Sequence, residues 1–191
     1  VPPARPGPRH LVVIGLRASG KTSAGELAAG RLGLAFQDLD ELAMRNAPGG
    51  PFTSVRALFE AVGEAGFRQA ETKALEIALD RPQRGVLALG GGTAAFPEAG
   101  RVLMRAMEAG AVLGPVYLHA SPGVLARRLR LEVGDRPSLT GEHPADEIAG
   151  LYDQRDALYR ALAAEVVEVD HLSVDQTADR LVEIWHALDR A

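Results

Sequence analysis

Short continuous apolar runs alternate along the chain with stretches in which apolar residues recur every three or four positions. Leu11–Gly15 is a run of β-branched and aliphatic residues ending in glycine, the pattern of a strand buried on both faces. Ala24, Leu27, Ala28 and Leu32 then recur at helical spacing, which predicts a helix over Lys21–Leu32 with Gly33 as its stop. A second strand is expected at Leu34–Gln37. Asp40 is expected to cap a helix running through Met44. The cluster Pro48–Pro51 reads as a loop, Ser54–Glu60 as one or two helical turns, and Glu64–Leu79 as a helix with Phe67, Ala70, Ala74 and Ile77 on one side. Three further strands are predicted at Val86–Leu89, Val112–His119 and Val166–Val169. Helices are predicted at Pro97–Met107, Pro122–Leu131, Ala145–Ala163 and Val174–Leu188, and a polar, Gly- and Pro-containing loop at Val133–His143. Five strands alternating with helices predict an α/β domain whose parallel sheet is covered on both faces.

Composition narrows the class. The chain has 191 residues, 47% hydrophobic and 24% charged, enough for one core and too apolar for a disordered chain. Residues 1–9, rich in Pro and Arg, read as a disordered leader ahead of a single domain over 10–191. No apolar run approaches a membrane span, and no signal peptide is evident. Cysteine is absent, which excludes disulfides, thiolate metal sites and a cysteine nucleophile. The net charge of −4 argues against a general nucleic-acid binder. A soluble cytoplasmic domain is expected. Of the 21 basic residues only Lys21 and Lys73 are lysines.

One of those two lysines lies in a phosphate-loop pattern. Gly15-Leu-Arg-Ala-Ser19-Gly20-Lys21-Thr22 fits G-x-x-x-x-G-K-[ST], with a buried strand leading in and a helix leading out. Glycines let successive backbone N–H groups turn toward one point, and the helix adds its positive end. A lysine there reaches the β- and γ-phosphates, and a threonine hydroxyl can ligate Mg²⁺.

That loop names a phosphoryl donor, not an acceptor. Asp38 and Asp40 lie two apart after the second strand, so strand geometry places both on one side. Taken alone, an Asp-x-Asp is more often a solvated turn with a helix cap. Gly90–Gly92 follow the third strand, at the sheet edge where open α/β folds bind ligands. Arg68, Arg128, Arg136 and Arg155 are each, singly, ordinary surface arginines. The five histidines lack metal-ligand spacing. Trp185, with Leu181, Ile184 and Leu188, reads as core packing of the last helix.

Taken in order, these features resemble the shikimate kinase family over about residues 10–188. The resemblance rests on the phosphate loop, Phe36-Gln-Asp38-Leu-Asp40, the stretch from Ser54 through Gly63-Glu64, Phe67-Arg68 and Glu71, Gly90–Gly92, Arg136-Pro137, and Arg155 with Tyr159. It implies a three-layer α/β/α phosphate-loop kinase of the nucleoside-monophosphate-kinase type, with strand order 2-3-1-4-5. It implies a substrate-binding segment at about 40–70, a lid at about 131–144, and ATP and Mg²⁺ as cofactors. Gly15, Ser19, Gly20, Lys21 and Thr22 would hold the ATP phosphates, with Arg128 and the lid's Arg136 beside them. Thr22 and Asp38 would serve the metal. Asp40 would bind the reacting hydroxyl of shikimate, Arg68 and Arg155 its carboxylate, and Gly91 and Gly92 its ring hydroxyls. Lys21, Asp40 and Arg136 would be catalytic. Arginine's planar fork suits a small carboxylate. The expected partners are shikimate and ATP, without nucleic acid or membrane, and the expected state is a monomer. A kinase of the same fold acting on gluconate, or a non-catalytic nucleotide- or shikimate-binding module, is the alternative.

Overall fold

The computed structural model describes residues 10–131 and 144–190. The expected leader, almost all of the expected lid, and Arg136 lie outside the described residues.

Among the described residues the five strands are β1 (His10–Ile14), β2 (Ala35–Asp38), β3 (Gly85–Ala88), β4 (Val112–His119) and β5 (Glu165–Glu168). They pair only in parallel, in the order β2-β3-β1-β4-β5, as expected. β1 is central and wholly buried. Each of its aliphatic side chains contributes roughly 1.5–3 kcal/mol relative to exposure. The helices are α1 (Lys21–Leu32), α2 (Leu39–Asn46), α3 (Val55–Leu79), α4 (Pro97–Glu108), α5 (Pro122–Leu131), α6 (Pro144–Leu162) and α7 (Val174–Arg190).

Handedness explains the layers. The step from β1 to β2 runs one way across the sheet, whereas β2 to β3, β3 to β4 and β4 to β5 run the other way. Right-handed crossovers therefore place α1 on one face and α2 through α6 on the opposite face. α7 joins α1, packing against it and against β4. The reversal leaves the C-terminal ends of β1 and β3 side by side, the crevice in which open α/β sheets bind ligands. No described helix is long and apolar enough to cross a membrane.

Two boundaries differ from expectation for identifiable reasons. Gly33 ends α1 as predicted, but the Leu34 amide still donates to the Ala29 carbonyl at 2.9 Å, so β2 begins one residue later. α2 is capped by Asp38, not Asp40: the Asp38 carboxylate accepts the Asp40 amide at 2.9 Å. α3 is broken at Gly63 (φ 68°, ψ 179°), a conformation glycine adopts without steric cost, which separates the short helical turns after Ser54 from the long run ending at Leu79.

The first residue of β1 adds a pH dependence. His10 is fully buried, and burial holds its imidazole below the ordinary value of about 6.5. Below pH 6.5 the unfolded chain therefore binds more protons at this residue than the folded one. Its stabilising contribution is complete above that pH and is lost as pH falls. Melting temperatures followed from pH 8 to pH 5 are expected to drop, and His10→Gln to flatten the decline. An equal decline in both proteins would remove His10 as its source.

Candidate active site

The loop between β1 and α1 curls tightly over the sheet edge. A side chain at Gly15 would lie 2.7 Å from both the Leu118 carbonyl and Ser19 Oγ, so no larger residue fits. Ala18 holds a left-handed φ of 63°, an uncommon conformation for a residue with a Cβ. Lys21 is buried, and its ammonium donates to the Leu16 carbonyl at 2.8 Å and lies 3.5 Å from Ser19 Oγ. The ammonium is thereby held inside the loop, at the N-terminal end of α1. Thr22 Oγ1 donates to Asp38 Oδ2 at 2.7 Å. A hydroxyl and a carboxylate thus meet beside the loop as two hard oxygen donors.

Asp38 and Asp40 do not share one side of a strand. Asp38 ends β2 and faces Thr22, while Asp40 already belongs to the first turn of α2. The helical turn carries Asp40 away from Thr22 and into a cleft lined also by Leu16, Arg17, Arg68, Gly92 and Arg155. The two carboxylates are thus separated by a helix cap and not by strand alternation.

Arg68 and Arg155 come from different helices, α3 and α6, and the fold brings them together. A Cβ built on Gly92 would lie 3.2 Å from Nη1 of each. Glu71, one turn after Arg68, pairs with Arg68 Nη1 at 2.7 Å and accepts from Thr93 Oγ1 at 2.6 Å. Within this cluster two guanidiniums and one carboxylate leave one net positive charge. Burial, with the Arg68 charge adding to it, holds Arg155 below the usual arginine value. Gly91 has a structural part beyond its place in the cleft. Its carbonyl accepts from Arg155 Nη1 and from the Tyr159 hydroxyl, both at 2.9 Å, so it anchors α6 as well as lining the cleft. Burial pushes the Tyr159 phenol up to about 12, which keeps it a neutral donor. Phe59, Phe67, Ile148 and Leu151 form an apolar wall opposite the polar groups.

A second cleft opens on the other side of the phosphate loop. It is lined by Ala18, Ser19, Gly20, Arg128, Ser173 and Thr177, among others. Arg128 reaches across it, donating to the Ala18 carbonyl at 3.2 Å and the Val169 carbonyl at 3.1 Å. Among the described residues no three His, Cys, Asp or Glu side chains form a metal cluster.

The site is thus a phosphate loop flanked by two clefts, one of them holding a carboxylate opposite paired arginines. The shikimate kinase family model matches residues 17–185. The chain belongs to this family. It is 41% identical to the shikimate kinase of Oleidesulfovibrio alaskensis over 161 residues, covering 83% of this chain and 87% of that protein. With the shikimate kinase of Nitrosomonas europaea it shares 36% over 177 residues, covering 92% and 78%. A solved shikimate kinase from Acinetobacter baumannii, in complex with shikimate, superposes with a TM-score of 0.79 at 27% identity, covering 94% of each chain.

Two residues at this shikimate kinase site carried no assigned role in the sequence. Glu71 stood in the motif only as a member; its three-residue spacing from Arg68 was the available signal. Arg17 occupies an unrestricted position of the phosphate-loop pattern, which is silent about it. In the structure it lines the cleft that holds Asp40, Arg68 and Arg155, with its amide 3.0 Å from where a Gly91 side chain would begin.

Proposed function

We propose that this chain transfers the γ-phosphoryl group of ATP to a ring hydroxyl of shikimate, giving shikimate 3-phosphate and ADP for aromatic amino-acid biosynthesis. The convergence of Arg68 and Arg155 at Gly92, in a cleft that also holds Asp40 and is closed on one side by the phosphate loop, carries this reading. The paired arginines grip the acceptor carboxylate, a charge-assisted interaction in a partly buried place. That grip leaves a ring hydroxyl beside Asp40. Asp40 takes the hydroxyl proton as the oxygen–phosphorus bond forms, and the bond from the γ-phosphorus to the β-phosphate oxygen breaks. Lys21 and the backbone of Gly15, Ser19 and Gly20 neutralise the charge on the transferring group. Arg128 borders the nucleotide cleft, and Arg136 is assigned to cover the phosphates from the lid. Thr22 and Asp38, whose oxygens already meet, would hold Mg²⁺ directly and through water, where the ion supplies charge neutralisation at the phosphates. One chain supplies every assigned residue, so the reaction needs no second copy.

A coupled assay of ADP release tests the acceptor. With ATP and Mg²⁺ present, shikimate is expected to stimulate release, quinate weakly, and gluconate no more than buffer. Stimulation by gluconate alone would replace the acceptor assignment. Absence of stimulation by any of them, in a chain that still binds ATP, would favour a non-catalytic module.

A further inference from the structure

Behind the acceptor cleft, between α6 and the edge of the sheet, lies a second polar cluster. His119, the last residue of β4, is 8% exposed. Its Nδ1 is hydrogen-bonded to the Glu168 carboxylate of β5, and its Nε2 lies 2.8 Å from the Tyr152 hydroxyl of α6. Because a carboxylate only accepts, Nδ1 carries the proton, and in the neutral ring Nε2 accepts from Tyr152. Tyr117 of β4 donates to Asp156 of α6 at 3.0 Å, and Arg160 donates to the other Asp156 oxygen at 3.0 Å. The rings form a continuous stack of edge and tilted contacts. Tyr152 and His119 have centroids 5.7 Å apart, His119 and Tyr117 5.6 Å, and Tyr117 and Tyr159 5.5 Å. All three tyrosines of the chain are in it. The stack ends at the Tyr159 hydroxyl on the Gly91 carbonyl, the same oxygen that accepts from Arg155.

We infer that His119 and Tyr152 are positioning residues for the acceptor clamp: they fix the rotation of α6 about its axis, and so the place of the Arg155 guanidinium. The inference rests on the reading of Arg155 as an acceptor ligand. Tyr152, Arg155, Asp156 and Tyr159 span two turns of one helix, so a bond at 152 or 156 constrains where 155 and 159 project. Without the His119 bonds, the sheet edge holds this part of α6 through Tyr117, the Arg160–Glu168 ion pair and ring packing. Arg155 then meets Gly91 and the carboxylate less often, whereas Lys21 and the nucleotide cleft, built on the phosphate loop, α1, α5 and α7, include no residue of α6. The effect is therefore selective for one substrate.

His119→Phe keeps the ring stack and loses both hydrogen bonds; Tyr152→Phe loses one and leaves the core volume unchanged. Each is expected to raise the KM for shikimate about fivefold, the size of one neutral hydrogen bond, with the KM for ATP within about twofold of wild type. His119→Gln, whose amide can still meet Tyr152, is expected to recover part of the loss. Hydrogen–deuterium exchange across α6 is expected to quicken in both phenylalanine variants and to stay constant in α1. Faster exchange with an unchanged shikimate KM, or equal rises in both KM values, would overturn the inference and leave a purely structural cluster. Should His119→Phe fail to fold, Tyr152→Phe decides alone. Wild-type activity on shikimate is measured first, so failure of the acceptor assignment is seen separately, and the exchange result does not depend on it.

Discussion

Replacing Lys21 by methionine is expected to cut shikimate-dependent ADP formation by about two to three orders of magnitude, since removing one donor aimed at developing charge costs ~2.7–4 kcal/mol. The ammonium is buried within the phosphate loop, held on the Leu16 carbonyl at 2.8 Å. It is thus pre-placed and need not be ordered during the reaction. The chain's other lysine, Lys73, is two-thirds exposed and paired with Glu76, and cannot substitute for it. Methionine preserves most of the side chain's volume, so the melting temperature should move little. The check is kcat at saturating ATP and shikimate, alongside that melting temperature. Near-normal turnover in a folded variant would remove the phosphate-loop assignment.

Arg155→Ala and Arg68→Lys are each expected to weaken shikimate binding by roughly 10- to 100-fold while leaving ATP binding intact, the loss of one charge-assisted hydrogen-bonding group. Lysine is the informative replacement at position 68. Alanine there would leave the Glu71 carboxylate buried without its ion-pair partner, and a folding defect would then mask the binding effect. Lysine keeps the charge for Glu71 and loses the planar fork for the ligand. Shikimate methyl ester supplies the other side of the cycle. It should bind wild type poorly and lose little more in either variant. If ester and substitutions are instead additive, these arginines do not touch the carboxylate, and the acceptor assignment loses its chemical support.

Periodicity made the fold legible because the central strands of a sheet covered on both faces are apolar runs, and each crossover helix carries its own apolar stripe. The break at Gly63 could also be anticipated, since the sequence divides there into two helical stretches. The error at Asp40 has a local cause. The Asp38 carboxylate starts α2 two residues before Asp40, and spacing alone does not tell which of two aspartates caps. Site residues were legible where a loop pattern demanded them, as at Lys21. The meeting of Arg68 and Arg155, 87 positions apart in the sequence, depends on where α3 and α6 come to lie, and only the resemblance anticipated it. The environment of His119 was not legible at all. Its partners come from β4, β5 and α6, and no spacing rule links them.

The scarcity of lysine turns chemical labelling into a two-position experiment. An amine-reactive acylating reagent meets only two side-chain amines, one exposed on the outer surface of α3 and one buried under the phosphate loop. Modification at Lys73 serves as an internal clock for reagent exposure, because it is distant from the phosphates. Modification at Lys21 competes with whatever occupies the loop. The ratio of the two in a peptide digest therefore reads nucleotide occupancy directly, with no catalytic assay and no introduced label.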